Sequence, residues 1–262
     1  MQSTTSTFQS PWRFWHGAAV LASAMTLYIL LSWAHMEIVR QTVGMQAYLG
    51  EGPRLPPHVL VAGQVIKAGA LLTMLWLVGL RLKGLSARWI GLVPVKPVWI
   101  GLGVLTGLGG FCLLLALAKL IVVIVPDWLA FAQAPFALDA GNSLAGSIAF
   151  LAMTLAITPV AEEIFFRGFL FRWMSGHHRV WLAAGVSSVM FGVAHILPPQ
   201  AIAATLMGLV LCWLYWRTGS IWPSVAAHVT NNAIGIGLGA AAAGGARPRA
   251  ESSVEHPCDQ RN

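Results

Sequence analysis

The sequence predicts an all-α fold, a polytopic transmembrane bundle of about seven helices with an intramembrane polar site in its C-terminal half. Three observations point there. The chain is 57% hydrophobic and 10% charged, against about 25% charged residues in soluble domains. Its mean hydropathy is +0.71. Its apolar residues gather into runs of the length that a bilayer core of roughly 20 helical residues demands.

The runs fall at about 16–36, 59–80, 97–125, 144–174, 179–197, 200–217 and 220–243. The third and fourth exceed one crossing, so they tilt, kink or project beyond the membrane. An eighth span follows if one of them is a broken pair. The first run lacks a small-residue cleavage site and reads as a retained helix, not a signal peptide. Thr158-Pro159 divides the fourth run, and a proline there weakens the helix one turn before two glutamates. The organisation expected is N-terminal helices over 1–143, a core over 144–243 and a polar, disordered tail over 244–262.

Loop charge gives an orientation. Arg81, Lys83, Arg88 and Lys96 follow the second run, and Arg172 and Arg179 follow the fourth. Residues 126–143 hold Asp127 and Asp139 with no Lys or Arg. The positive-inside rule places the basic loops, and with them the N-terminus, in the cytoplasm, as expected of a bacterial inner-membrane protein. The net charge of +7 is loop charge facing anionic lipid; no basic run suggests nucleic acid. Cys112, Cys212 and Cys258 show neither disulfide nor thiolate-metal spacing. Lys67 and Lys119 are expected to snorkel toward the outer surface. Gly103 and Gly107 form a GxxxG, which reads as close helix packing.

The chemistry should lie at Glu162 and Glu163, the only acids between Asp139 and Glu251. A charge at membrane depth costs about 2.5–3.5 kcal/mol even on the gentler insertion scale. Glu163 and Arg167 stand at i and i+4 and can pair on one helix face, while Glu162 faces about 100° away. Spacing therefore makes Glu163 and Arg167 a scaffold and leaves Glu162 as the reactive carboxylate. Two further polar sites follow. Phe191 and His195 are one turn apart, and His228 and Asn232 share a face. Each has a bland alternative: an isolated His or Asn is often packing glue between helices, and the two acids could rest in the headgroup zone beside Arg167 and Arg172. Together, a carboxylate, two imidazoles and an amide are the parts that activate a water and stabilise an oxyanion. Hydrolysis leads on this reading and proton-coupled transport follows, weakened by the lack of internal repeats.

At these residues the chain resembles the CAAX protease and bacteriocin-processing (Abi) family of intramembrane endopeptidases. The motifs E-E-x-x-x-R, F-x-x-x-H and H-x-x-x-N occur as Glu162-Glu163-Ile164-Phe165-Phe166-Arg167, Phe191-Gly192-Val193-Ala194-His195 and His228-Val229-Thr230-Asn231-Asn232. The resemblance covers about residues 144–240. It implies Glu162 as general base on a water held with His195, and His228 with Asn232 as the oxyanion site. Glu163 and Arg167, with Phe191, would support the site or contact substrate. The family is described both as metal-dependent and as glutamate-type. A catalytic divalent metal, if bound, would fall to His195, His228 and Glu162, whereas H-E-x-x-H is absent and no structural zinc is expected. The implied partners are the lipid bilayer and a membrane-associated peptide or protein, ranked above a prenylated substrate. The competing reading is a non-proteolytic immunity or scaffold protein.

Overall fold

Long apolar runs free of internal breakers must satisfy their backbone polar groups within themselves when no water is present, and helices do so. The computed structural model describes residues 9–44, 55–124, 143–195 and 198–245, and among these it contains helices and no strand. Seven helices run through them: α1 (Phe14–Thr42), α2 (Pro57–Lys83), α3 (Pro97–Ile124), α4 (Leu144–Ser175), α5 (Val180–Val193), α6 (Pro198–Thr218) and α7 (Trp222–Gly245). α1 to α4 and residues Gln200–Thr218 of α6 are long and apolar enough to cross a membrane. The protein is an integral membrane protein with a helical polytopic fold. The 125–142 segment with Asp127 and Asp139, the tail beyond 245 and Cys258 lie outside the described residues.

Of the seven expected crossings, the 179–197 and 220–243 runs are not among these five. The 179–197 run was expected to span, but α5 holds only 14 residues, about 21 Å of helix against a core of ~30 Å. It ends at Val193, and Ala194 and His195 form the turn that follows. His195 therefore stands past a helix end inside the bundle, not on a continuous span.

The fourth run is one rod with changes of pitch. Wide i→i+5 turns occupy Met153–Ile157 and Ile164–Phe171, on either side of Thr158–Glu163. Such widened turns often mark functional sites. Within the first, the Thr158 N–H bonds the Met153 carbonyl. In that register the next donor would meet Thr154 O, but residue 159 is proline and has none. The Asn232 side-chain amide supplies it from α7, 3.1 Å away.

Close approach at glycines decides how α7 lies. A Cβ on Gly103 would overlap the Pro223 carbonyl oxygen, and one on Gly107 the Ala227 carbonyl oxygen. The GxxxG of α3 thus packs backbone to backbone against α7, directly before His228. Gly168 likewise lets α4 meet the Ile90 carbonyl in the short 3-10 turn Ala87–Ile90. The larger of two core clusters among the described residues joins α1 and α2 (Val20, Ala24, Leu71, Leu75) to α4, α5 and α6 (Phe165, Phe169, Ala183, Leu211). At one end Trp12, 1% exposed, donates its indole N–H to Gly79 O at 2.8 Å and meets Phe169 edge-on at 5.3 Å.

Gly107→Val should lower unfolding stability in detergent by about 1–3 kcal/mol, the usual cost of overpacking. Gly109, whose added Cβ would meet nothing within 4 Å, is the control: Gly109→Ala should leave the thermal midpoint unchanged or raise it.

Candidate active site

Adjacent residues on a helix point about 100° apart, so the two glutamates of α4 reach different neighbours. Glu163 accepts from Arg167 Nη1 at 2.9 Å, and both side chains are 0% exposed. The guanidinium also donates to Gly208 O on α6 at 3.4 Å and lies 4.3 Å from the ring centroid of Phe191. The (i, i+4) pair read from spacing is therefore present, and a cation–π contact completes it.

Glu162 has a partner that spacing could not give. Lys67 Nζ of α2 lies 2.5 Å from its Oε1, with side-chain exposures of 16% and 3%. Lys67 does not snorkel toward the surface as expected; the buried carboxylate holds it in the bundle. Its register is set three residues earlier by Gln64. The Gln64 amide donates to Thr154 Oγ1 at 3.0 Å, and the Thr158 hydroxyl donates to Gln64 Oε1 at 3.0 Å. Thr154, Thr158 and Glu162 recur every four residues on one face of α4, so Gln64 and Lys67 of α2 and this face of α4 form a polar seam.

His228 bridges the two carboxylates. Its Nδ1 is 3.0 Å from Glu163 Oε1, and its Nε2 is 3.6 Å from Glu162 Oε2. A carboxylate paired with Arg167 only accepts, so Nδ1 carries the hydrogen and Nε2 is the nitrogen turned toward Glu162. The 3.6 Å separation is too long for a direct hydrogen bond. Phe191 packs between these groups: His195 lies 4.9 Å and His228 5.6 Å from its ring, both edge-on. His195 Nδ1 donates to Phe191 O at 2.8 Å, closing the end of α5 and leaving Nε2 unengaged by that bond. The imidazole is within electrostatic reach of Glu162, Lys67 and His228.

Glu162, Glu163, Arg167, Phe191, His195 and His228 are thus brought together. Asn232 stands one turn beyond His228 and meets α4 at Thr154 O, with a second amide hydrogen left over. Sequence reading missed Lys67 as a site residue, and with it Gln64, Thr154 and Thr158. The available signal was a lysine and a glutamine three apart in an apolar run, polar residues that share a helix face.

The metal set does not assemble. Among the described residues no group of three His, Cys, Asp or Glu side chains could hold a metal ion. The Lys67 ammonium already neutralises Glu162 at Oε1. Glu162, His195 and His228 therefore do not fit a divalent cation as a ligand set.

Removing one partner of a buried pair strands the other charge. Arg167→Ala should cost about 3–5 kcal/mol, seen as lost monodisperse protein in detergent or a collapsed thermal midpoint. Asn232→Ala should cost about 1–3 kcal/mol by exposing the Thr154 carbonyl to an apolar surround, measured by unfolding in detergent.

Comparisons with known proteins bear on the same segment. Residues 144–234 match the family described as type II CAAX prenyl endopeptidase Rce1-like. A curated Bacillus subtilis (strain 168) protein named "Putative membrane peptidase YdiL" is 34% identical over 76 residues, which cover 29% of this chain and 31% of that protein. The chain thus spans under a third of the length of the curated relative it matches. No solved structure matches. The matched residues contain all three motifs and every polar side chain of the cluster except Gln64 and Lys67. Over residues 144–234, this chain is similar to the Rce1-like CAAX endopeptidase family.

Proposed function

We propose that the protein is an intramembrane endopeptidase that hydrolyses a peptide bond of a membrane-associated protein or peptide, with water activated by Glu162. The observation that carries this reading is where the open oxygen of Glu162 lies, beside an imidazole nitrogen of His228. Glu163 takes Arg167 and His228 both on Oε1, and its Oε2 is buried with no hydrogen-bond partner among the described residues. Glu162 has one oxygen on Lys67 and the other, Oε2, facing His228 Nε2 without a direct bond. A carboxylate oxygen and an imidazole nitrogen side by side in a dry site are a base and its neighbour, ready for a water hydrogen.

In this mechanism Glu162 Oε2 takes a proton as the water oxygen bonds to the scissile carbonyl carbon. The C–N bond then breaks as the proton passes to the departing amine. His195 helps to hold the water. His228 as an imidazolium, its Nδ1 hydrogen on Glu163 and a second hydrogen on Nε2, and the second amide hydrogen of Asn232 are the donors for the developing oxyanion, where preorganised donors act most strongly. Residues 144–243 supply this machinery, and the helices before them supply Lys67 and the wall around it. With basic loops on the cytoplasmic side of a bacterial inner membrane, a substrate enters laterally or from that face.

Purified protein in liposomes should cleave members of a membrane-embedded peptide library. Glu162→Gln should lower the rate by ~10²-fold or more, the scale of general-base catalysis, while keeping a normal gel-filtration profile. Unchanged cleavage in that variant would remove Glu162 as the base. Immunity or partner binding that survives joint replacement of Glu162, His195 and His228 would mark a non-proteolytic protein.

A further inference from the structure

Lys67 lies outside the residues matched by the family and on a helix with none of the three motifs, yet it touches the carboxylate on which the proposed reaction depends. It is a lysine, and that choice has a geometric consequence. An ammonium is a compact point charge, whereas a guanidinium presents a planar fork that can take both oxygens of a carboxylate, although Arg167 bonds only Oε1 of Glu163. Here Nζ lies on Oε1, and Oε2 is left toward His228 Nε2 at 3.6 Å. The ammonium does not choose its own place. Gln64, bonded to both Thr154 and Thr158, locks α2 against α4 one turn from the ion pair.

From this we infer that Lys67 is a positioning residue that engages Oε1 of Glu162 and so selects Oε2 as the basic oxygen. This rests on the endopeptidase reading above. Lys67 acts through Glu162 and touches no reacting atom. Its one-sided grip has two effects: it keeps a charged carboxylate in an apolar bundle, and it leaves one oxygen open to water.

Three variants test it, assayed with the full chain in liposomes against a peptide that the wild type cleaves. Lys67→Arg keeps the charge, so the protein should fold, yet kcat should fall ~10- to 100-fold with KM within about twofold, as expected when a base is misplaced rather than binding lost. Lys67→Met should lose kcat and also stability. Lys67→Met combined with Glu162→Gln should recover the stability, because neither charge is then unpaired. Wild-type kcat in folded Lys67→Arg or Lys67→Met overturns the inference and leaves Lys67 a structural counter-charge. So does a double variant no more stable than Lys67→Met. If wild type and Glu162→Gln cleave equally, the endopeptidase mechanism fails instead, whatever the Lys67 variants do.

Discussion

Two carboxylates buried side by side must each be neutralised, and the bundle is built around how this is done. Glu163 is 0% and Glu162 2% exposed, in surroundings where an unpaired ion is costly. Arg167 from the same helix answers the first and Lys67 from α2 the second. Two negative and two positive charges cancel in pairs, with His228 between them. Everything nearby follows from keeping these contacts short. Gln64 holds the α2 register, the guanidinium also reaches the Gly208 carbonyl of α6, and the glycines of α3 bring α7 close enough for His228 to approach both acids.

Phe191 belongs to the same arrangement, although it carries no charge. Its ring face receives the Arg167 cation, and its surroundings include both imidazoles edge-on. Its carbonyl takes the His195 Nδ1 hydrogen. One aromatic residue thus supplies a cation–π face, two ring contacts and the acceptor that sets a histidine tautomer. A smaller side chain would leave a void between α4, α5 and α7. The short α5 makes this geometry available, because a helix that crossed the whole bilayer would carry residue 195 on as another helical turn.

What could be read from the sequence is what local geometry determines. Helical spacing puts Glu163 with Arg167, His228 with Asn232 and Phe191 with His195 on shared faces, and the structure brings those pairs to shared neighbours. The GxxxG packing was legible for the same reason, since small residues at that spacing permit a close crossing. Lys67 was not legible as a partner of Glu162, because nothing in the two runs sets the rotation of one helix against the other. Long-range register is fixed by packing and by polar contacts such as Gln64 with Thr154. The length of α5 was misread because Ile196, Leu197 and the prolines after them look apolar, and apolarity does not show where helical pitch ends.

The division of labour between the glutamates is a consequence of helix twist more than of residue identity. Both are the same amino acid in the same apolar bundle, yet a rotation of about 100° sends one toward a guanidinium and an imidazole and the other toward an ammonium. Pro159 sharpens the separation. By denying Thr154 O its backbone donor, it makes α4 depend on Asn232 of α7, so the helix that carries His228 is tied to α4 again two turns from the glutamates. The two α7 side chains then hold α4 at both ends of the same segment, one through a backbone carbonyl and one through the carboxylates. A site clamped in this way can leave one oxygen of each carboxylate without a short hydrogen bond to protein, because the groups around them are held by other bonds.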